Sequence, residues 1–127
     1  MKNNLFSILF LLTAVFAFAT GCATGPEVIP EDASVAELIQ YAQTSIDNGK
    51  PGKAKEYLYT VLERYPDDME AVCCAEYELA HIEVKAKNWK KAEELLTNLL
   101  DRYEADTEET LPRAYRILAE NDLKKIK

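Results

Sequence analysis

The chain repeats itself with a period of 38 residues, and this self-similarity limits its fold more than any other feature. Residues 61–65 (VLERY) recur as residues 99–103 (LLDRY) with conservative changes only. The same shift places Ala42 on Ala80, Ala54 on Ala92, Leu58 on Leu96 and Leu62 on Leu100. A repeat of this length indicates a stack of similar units, each of which buries its apolar face against its neighbours.

Each unit has the apolar spacing of two α-helices joined by a turn. Ser34 and Glu37 form the S-x-x-E pattern of a capping box, which starts the first helix. Residues 48–52 (NGKPG) predict a turn, and a second helix is expected from Lys53 to Tyr65, where Pro66 ends it. The predicted repeats cover residues 34–68 and 69–106.

The spacing within the unit resembles the tetratricopeptide repeat. A small residue in the first helix is followed by an alanine, a large apolar residue and a proline; these are Ala42, Ala54, Leu58 and Pro66. The second unit has Ala80, Ala92 and Leu96, but Glu104 replaces the proline. The resemblance implies an all-α fold, an α-solenoid of two helix-turn-helix hairpins and a capping helix.

A fifth helix is predicted at residues 110–125, with Pro112 in its first turn. Tyr115, Leu118 and Ala119 have the spacing of packing residues in a third unit. The end of a solenoid needs a polar outer surface. The residues expected to supply it are Glu120, Asn121, Asp122, Lys124, Lys125 and Lys127.

Residues 1–21 have the character of an export signal. Lys2 gives a positively charged start, and residues 5–19 are almost wholly apolar. This run is shorter than the roughly 20 residues that cross a bilayer as a helix, which favours a secretory signal. An uncleaved membrane anchor is the alternative.

The segment from Ala19 to Cys22 (ATGC) resembles the lipobox of bacterial lipoproteins, although Ala19 stands where leucine is usual. The resemblance implies that Cys22 is acylated and becomes the new N-terminus. Ordinary signal cleavage after Ala19 is the alternative, because residues 17–19 have the A-x-A form. Glycine and prolines then predict a flexible tether over residues 22–33.

The body of the chain is acidic. The formal net charge is −7, and without residues 1–21 there are 14 basic against 22 acidic side chains. From this net charge, neither nucleic acid nor anionic lipid head groups are expected as partners. Contact with a membrane is expected through the acyl chains alone.

The sequence contains no recognisable catalytic or metal-binding pattern, so we expect neither an enzyme nor a cofactor. His81 has no second histidine to pair with, and it is expected on the hairpin surface. Cys73 and Cys74 are neighbours on a helix and are expected to be buried free thiols, with an intermolecular disulfide as the alternative. Trp89 is expected in the joint between hairpins, and the carboxylates after residue 103 (Glu104, Asp106, Glu108, Glu109) in a solvated loop.

The tetratricopeptide resemblance implies a concave groove, lined by the first helix of each unit, that holds a peptide or a helix of a partner protein. The positions carried over are Ile39, Gln43, Ile46, Tyr77, His81, Lys85, Arg116 and Glu120. They form a mixed apolar and polar lining. We therefore expect a protein partner from the cell envelope.

Together these features predict a membrane-anchored scaffold or adaptor in the bacterial cell envelope. The order of anchor, tether and repeats is architecturally similar to the repeat lipoprotein of the outer-membrane β-barrel assembly machinery. Ala23, rather than aspartate, follows the cysteine and favours the outer membrane, facing the periplasm. The alternative function is a ligand-binding accessory subunit of a periplasmic transport system.

Overall fold

The computed structural model describes residues 25–126, and this part of the chain forms five α-helices and no β-strand. The helices are α1 (Val35–Asp47), α2 (Pro51–Arg64), α3 (Met69–Lys85), α4 (Trp89–Ala105) and α5 (Arg113–Ile126). The all-α prediction is therefore confirmed. The predicted signal peptide and Cys22 lie outside the described residues. None of the five helices is long and apolar enough to cross a membrane.

Local sequence signals set the ends of the first two helices. Ser34 Oγ accepts a hydrogen bond from the Glu37 backbone N–H, and the Glu37 carboxylate accepts one from the Ser34 N–H, as a capping box requires. Gly49, with a φ of 68°, reverses the chain after α1. Pro51 starts α2 two residues earlier than predicted, because proline is favoured at the first helical position, where its missing N–H would have no partner within the helix.

Helices that follow each other along the chain pack together. The first hairpin consists of α1 and α2, the second of α3 and α4, and they meet mainly through α2 and α3. The last helix, α5, contacts both helices of the second hairpin, just as α3 contacts both helices of the first. Each new helix therefore covers the open side of the hairpin before it.

The 38-residue register is visible in the burial of side chains. Four pairs of equivalent positions are at most 1% exposed: Ala42 and Ala80, Ala54 and Ala92, Leu58 and Leu96, Val61 and Leu99. The alanines lie where helices approach closely, so larger side chains there would force the helices apart. Removing each leucine from water stabilises the fold by about 2 kcal/mol.

Three buried polar side chains follow the same register. Ser45 in α1, Glu83 in α3 and Asp122 in α5 are the buried polar residues of the described chain, and they are 38 and 39 residues apart. The sequence placed Asp122 on the polar outer surface, but its carboxylate is only 2% exposed. The reason is that this face of α5 packs on α3. Ala119, predicted to pack, is fully buried.

Residues 25–33, the described part of the predicted flexible tether, lie against the first hairpin; we call this segment the strap. Three side chains of α2 donate hydrogen bonds to its carbonyls: Tyr57 to Pro26 (2.6 Å), Lys53 to Glu27 (2.8 Å) and Arg64 to Pro30 (2.6 Å). Ala33 is buried, and Ile29 packs against the core of the first hairpin. The non-helical backbone keeps its carbonyls available to these donors, which is why the segment docks.

The connection between α4 and α5 also differs from its prediction. The Asp106 carboxylate accepts hydrogen bonds from Thr110 Oγ1 (3.0 Å) and the Leu111 N–H (2.8 Å), which hold this segment in a turn. As a result α5 begins at Arg113, three residues later than predicted. Glu104 belongs to α4 rather than to the acidic loop.

Two large apolar residues are more exposed than the sequence predicts. Trp89 begins α4 as expected, but it is 43% exposed instead of filling the joint. The preceding residue, Asn88, donates to Glu83 (2.9 Å), so Asn88 rather than Trp89 bonds to α3 at this point. Leu118 is 40% exposed on α5, because no further described helix covers that face.

Candidate functional site

A groove of about 350 Å³ opens on the face formed by α1, α3 and α5. Its lining residues are Val35, Ala36, Ile39, Gln40, Gln43, Asp68, Glu70, Ala71, Cys74 and Tyr115. The groove exists because α3 packs mainly on α2 and touches α1 only slightly. The first helices of the two hairpins, α1 and α3, therefore diverge on one side of the joint between the hairpins, which we call its front. On the opposite side, its back, α2 packs against α3.

The groove has an apolar floor and an acidic rim. Ile39, Val35 and Ala71 belong to the core of the first hairpin, so the floor is rigid. Asp68 and Glu70 are exposed at the edge, and none of the lining residues is a lysine or an arginine. A surface of this kind can accept apolar side chains of an extended segment or a helix, and it attracts basic flanking residues.

Of the positions that the sequence assigned to a groove, Ile39 and Gln43 line this one. Ile46 lies further along α1, where it packs against the core of the first hairpin. Lys85 is the exposed last residue of α3. The other four positions lie in two different places.

Tyr77 and His81 close the joint between α3 and α5. Asp122 Oδ2 accepts hydrogen bonds from His81 Nδ1 (2.6 Å) and Tyr77 Oη (3.1 Å). Asp122 Oδ1 accepts one from Lys125 Nζ (2.6 Å). We call these four residues the Asp122 cluster. It joins the two helices at the position where a groove was predicted.

The electrostatics of the cluster favour an ionised carboxylate. Burial raises the pKa of Asp122, but hydrogen bonds from Lys125, His81 and Tyr77 outweigh it and hold this pKa below its usual value. Burial and the nearby carboxylate raise the pKa of Tyr77, so its hydroxyl stays protonated and remains a donor. The arrangement is that of a structural contact between α3 and α5, because each polar group of the cluster bonds to another group of the cluster.

Arg116 and Glu120 lie in a second depression, of about 330 Å³, between α5 and the end of α4. Arg116 bonds to Glu120 (3.1 Å) and to Glu104 (2.9 Å), so its charge is already matched within the protein. The full lining is Tyr103, Asp106, Glu109, Leu111, Arg113, Arg116, Ile117 and Glu120. Because charges of both signs alternate and pair here, the groove is the stronger candidate for binding.

The two described cysteines differ in their surroundings. Cys73 is fully buried against the second hairpin, as predicted, whereas Cys74 is half-buried in the groove beside Tyr115. Both are free thiols within residues 25–126. Burial raises the pKa of each thiol, which keeps it protonated and poorly nucleophilic. An intermolecular disulfide stays the alternative to free thiols.

Sequence reasoning missed Cys74 and Tyr115 as groove residues and Asp122 as a buried one. The register contained part of the signal, because Cys74 follows Ala36 by 38 residues and Asp122 follows Glu83 by 39. A residue that lines the groove in α1 therefore predicts that the residue 38 positions later, in α3, lines it too. Over the described range, no three or more histidine, cysteine and carboxylate side chains converge as a metal site.

The chain is similar to an uncharacterized protein of Treponema pallidum, with 42% identity over 120 residues. The match covers 93% of this chain and 48% of the relative, so the chain spans about half the length of the curated relative. No family model matches the sequence. No solved structure matches it either.

Proposed function

We propose that this chain is a membrane-anchored adaptor of the bacterial cell envelope that binds a segment of another protein in the groove. The groove itself carries this proposal: it joins an apolar floor to an acidic rim on a rigid helical support. An adaptor needs a preformed surface rather than a reactive group. The Asp122 cluster, in contrast, uses its buried carboxylate to bond side chains of the protein itself.

We further propose that the helices form a tetratricopeptide-type solenoid. The equivalent burial of Ala42 and Ala80, and of Leu58 and Leu96, supports this assignment. The order of helix contacts is also what a solenoid of hairpins requires. In such a solenoid the groove is the concave face formed by the first helices.

The anchor in this proposal is an acylated Cys22, held at the outer membrane and facing the periplasm. Its support is the sequence from Ala19 to Cys22 and the short apolar run before it. Two or more acyl chains hold a protein at a membrane where a single chain does not. Intact mass spectrometry of the native protein, compared with Cys22→Ala, tests this part directly.

The chemistry of the groove specifies the kind of partner. We propose an envelope protein that presents an apolar segment flanked by lysine or arginine. Ile39 and Ala71 would contact the apolar residues, and Asp68 and Glu70 would attract the basic flank. Because the groove is short and open, we expect a modest affinity that is sensitive to salt.

Site-specific photocrosslinking in intact envelopes tests the adaptor function. A crosslinking residue at Gln43, inside the groove, should form an adduct with a partner protein. The matched control is Thr97, an exposed residue of α4 outside the groove. A second variant, Glu70→Gln, should reduce adduct formation about two- to fivefold by removing one rim charge.

Two outcomes would count against the adaptor. Adducts formed equally from Gln43 and Thr97 would show that the groove is not the binding surface. If no protein adduct forms and a small periplasmic solute raises the melting temperature of the protein, the accessory-subunit function replaces the adaptor.

A further inference from the structure

Charges of opposite sign collect at the two ends of the helical bundle. One end, which we call the lysine end, comprises residues 47–55, 85–91 and 123–126, where α1, α3 and α5 finish and α2 and α4 begin. Within these ranges there is one carboxylate, Asp47, and four more carboxylates just outside them pair with lysines of this end: Glu56, Glu83, Glu94 and Asp122. The same ranges contain every lysine of the described chain: Lys50, Lys53, Lys55, Lys85, Lys87, Lys90, Lys91, Lys124 and Lys125. The rest of residues 25–126 holds 21 carboxylates, four arginines and no lysine.

Side-chain contacts confirm that these segments lie at the same end. Lys55, early in α2, pairs with Glu83, late in α3. His81, late in α3, bonds to Asp122, late in α5. The three groups of lysines are therefore neighbours in the fold, although the sequence separates them.

Helix stability explains only some of the lysines at this end. Lysines at the ends of α3 and α5 are favourable, but Lys53, Lys90 and Lys91 lie in the first turns of α2 and α4, where positive charge opposes the helix dipole. Four of the nine lysines have ion pairs: Lys53, Lys55, Lys91 and Lys125. Lys50, Lys85, Lys87, Lys90 and Lys124 have none with a described residue. An external polyanion would neutralise them.

An exposed tryptophan lies among these lysines. Trp89 begins α4 immediately before Lys90 and Lys91 and is 43% exposed. Tryptophan is favoured at the level of lipid head groups, because its ring is apolar and its N–H is a hydrogen-bond donor. Lysines surrounding an exposed tryptophan fit an anionic lipid surface better than they fit a nucleic acid groove.

The course of the strap allows the anchor to reach the lysine end. Gly25 lies beside Tyr41, in the middle of α1, and the strap runs from there toward Arg64 at the opposite end. Three peptide units separate Cys22 from Gly25 and span at most about 11 Å. The helical rise from Tyr41 to Asp47 is about 9 Å. This step rests on the proposed acylation of Cys22.

We propose that the lysine end lies against an anionic phospholipid surface, with Trp89 at the interface. The helices then stand upright on the membrane. The groove, lined by the early residues of α1, α3 and α5, lies in the half of the molecule away from the lipid, where a partner can enter.

The acidic net charge does not oppose this contact. The 17 residues of α3 span about 26 Å. Charges in water are screened over about 8 Å at physiological ionic strength, so the carboxylates of the far end act only weakly at the lipid surface. Net charge alone predicted that anionic lipid head groups would be repelled. That prediction fails to distinguish the two ends of the molecule, whose charges have opposite signs.

Fluorescence quenching of Trp89, the single tryptophan of the chain, tests the proposal. The protein extracted from native membranes is reconstituted into vesicles containing head-group-proximal brominated lipid, with or without phosphatidylglycerol. We expect quenching that is at least about twofold stronger with phosphatidylglycerol and that high salt reverses. A variant with Trp89→Phe and Thr107→Trp, which moves the tryptophan to the far end, should show no such dependence.

Two charge reversals separate a local contact from an effect of net charge. Lys90→Glu and Arg113→Glu change the charge equally, and both positions lie in the first turn of a helix. In flotation of the unacylated full chain with phosphatidylglycerol vesicles, Lys90→Glu should weaken binding at least about fivefold, and Arg113→Glu should leave it nearly unchanged.

The proposal is overturned if the two variants float equally, or if quenching ignores lipid charge. Lysine-dependent binding to duplex DNA without binding to vesicles would assign the surface to nucleic acid instead. Mass spectrometry reports acylation of Cys22 independently. Flotation of the unacylated full chain tests the lipid contact by itself. Failure of the anchor and failure of the lipid contact are therefore detected by different measurements.

Discussion

The joint between α1 and α3 is open, whereas the joint between α3 and α5 is closed. Both joints contain a buried carboxylate at nearly the same position of the repeat: Glu83 in the first joint and, 39 residues later, Asp122 in the second. Lys55 of α2 bonds to Glu83 of α3, so at the first joint the buried carboxylate connects α3 to α2 and not to α1. His81 and Tyr77 of α3 bond to Asp122 of α5, so at the second joint the buried carboxylate connects α3 directly to α5.

This difference shows how one repeat can produce two kinds of joint. The apolar residues that hold each hairpin together are shared by both units, but the partner of the buried carboxylate is not. A partner on the second helix leaves the front of the joint open as a groove. A partner on the first helix holds that helix against the next one, so no groove forms between them.

The largest expected effect tests what the two hairpins share. Leu58→Ala and Leu96→Ala each remove a fully buried side chain at an equivalent position. Each should lower the free energy of unfolding by about 3 kcal/mol, measured by urea denaturation. Leu118→Ala, at an exposed position of α5, is the control and should cost less than about 1 kcal/mol. Losses at the two buried leucines that differ by more than about 1.5 kcal/mol would contradict the equivalence.

A smaller effect tests where the joints differ. Asp122→Ala leaves Tyr77 and His81 without their acceptor and should cost about 2 kcal/mol. Glu83→Ala should cost about 1 kcal/mol, because both Lys55 and Asn88 can turn to water. Hydrogen exchange should also rise in α5 for the first variant only. Equal exchange in both variants would mean that the Asp122 cluster does not hold α5 in place.

The smallest expected effect is on the pH dependence of stability. The pKa of Asp122 is lowered in the folded state, so its contribution is present at neutral pH and is lost as the pH falls through that pKa. Asp122→Asn should therefore lose less stability than the native protein between about pH 5 and pH 2. Thermal unfolding across this range measures the difference.

Glu78 provides a control of opposite sign. Burial raises the pKa of its carboxyl, so its contribution is present at low pH and is lost as the pH rises. Glu78→Gln should steepen the loss of stability on acidification, whereas Asp122→Asn should flatten it. Parallel curves for the two variants would show that these carboxylates do not control the acid response.

Residues of the candidate site could be predicted from the sequence only where their place in the repeat decides which way they face. Ile39 and Gln43 lie in the groove because their positions in the first helix put them on its front face. The same reasoning at the second joint selected Tyr77 and His81, which instead bond to Asp122. The apolar register contains no information about that bond, since 41 residues separate His81 from Asp122.

The sequence by itself determined the five helices, the cap of α1 and the buried alanine and leucine positions that the two units share, because these depend on neighbours three to four residues apart along the chain. The tertiary structure decided what depends on distant partners. It docked the strap on α2, left Trp89 in solvent and brought the lysines of three separate segments to one end. It also buried Asp122, because an ionised side chain leaves water only where another element supplies its hydrogen bonds.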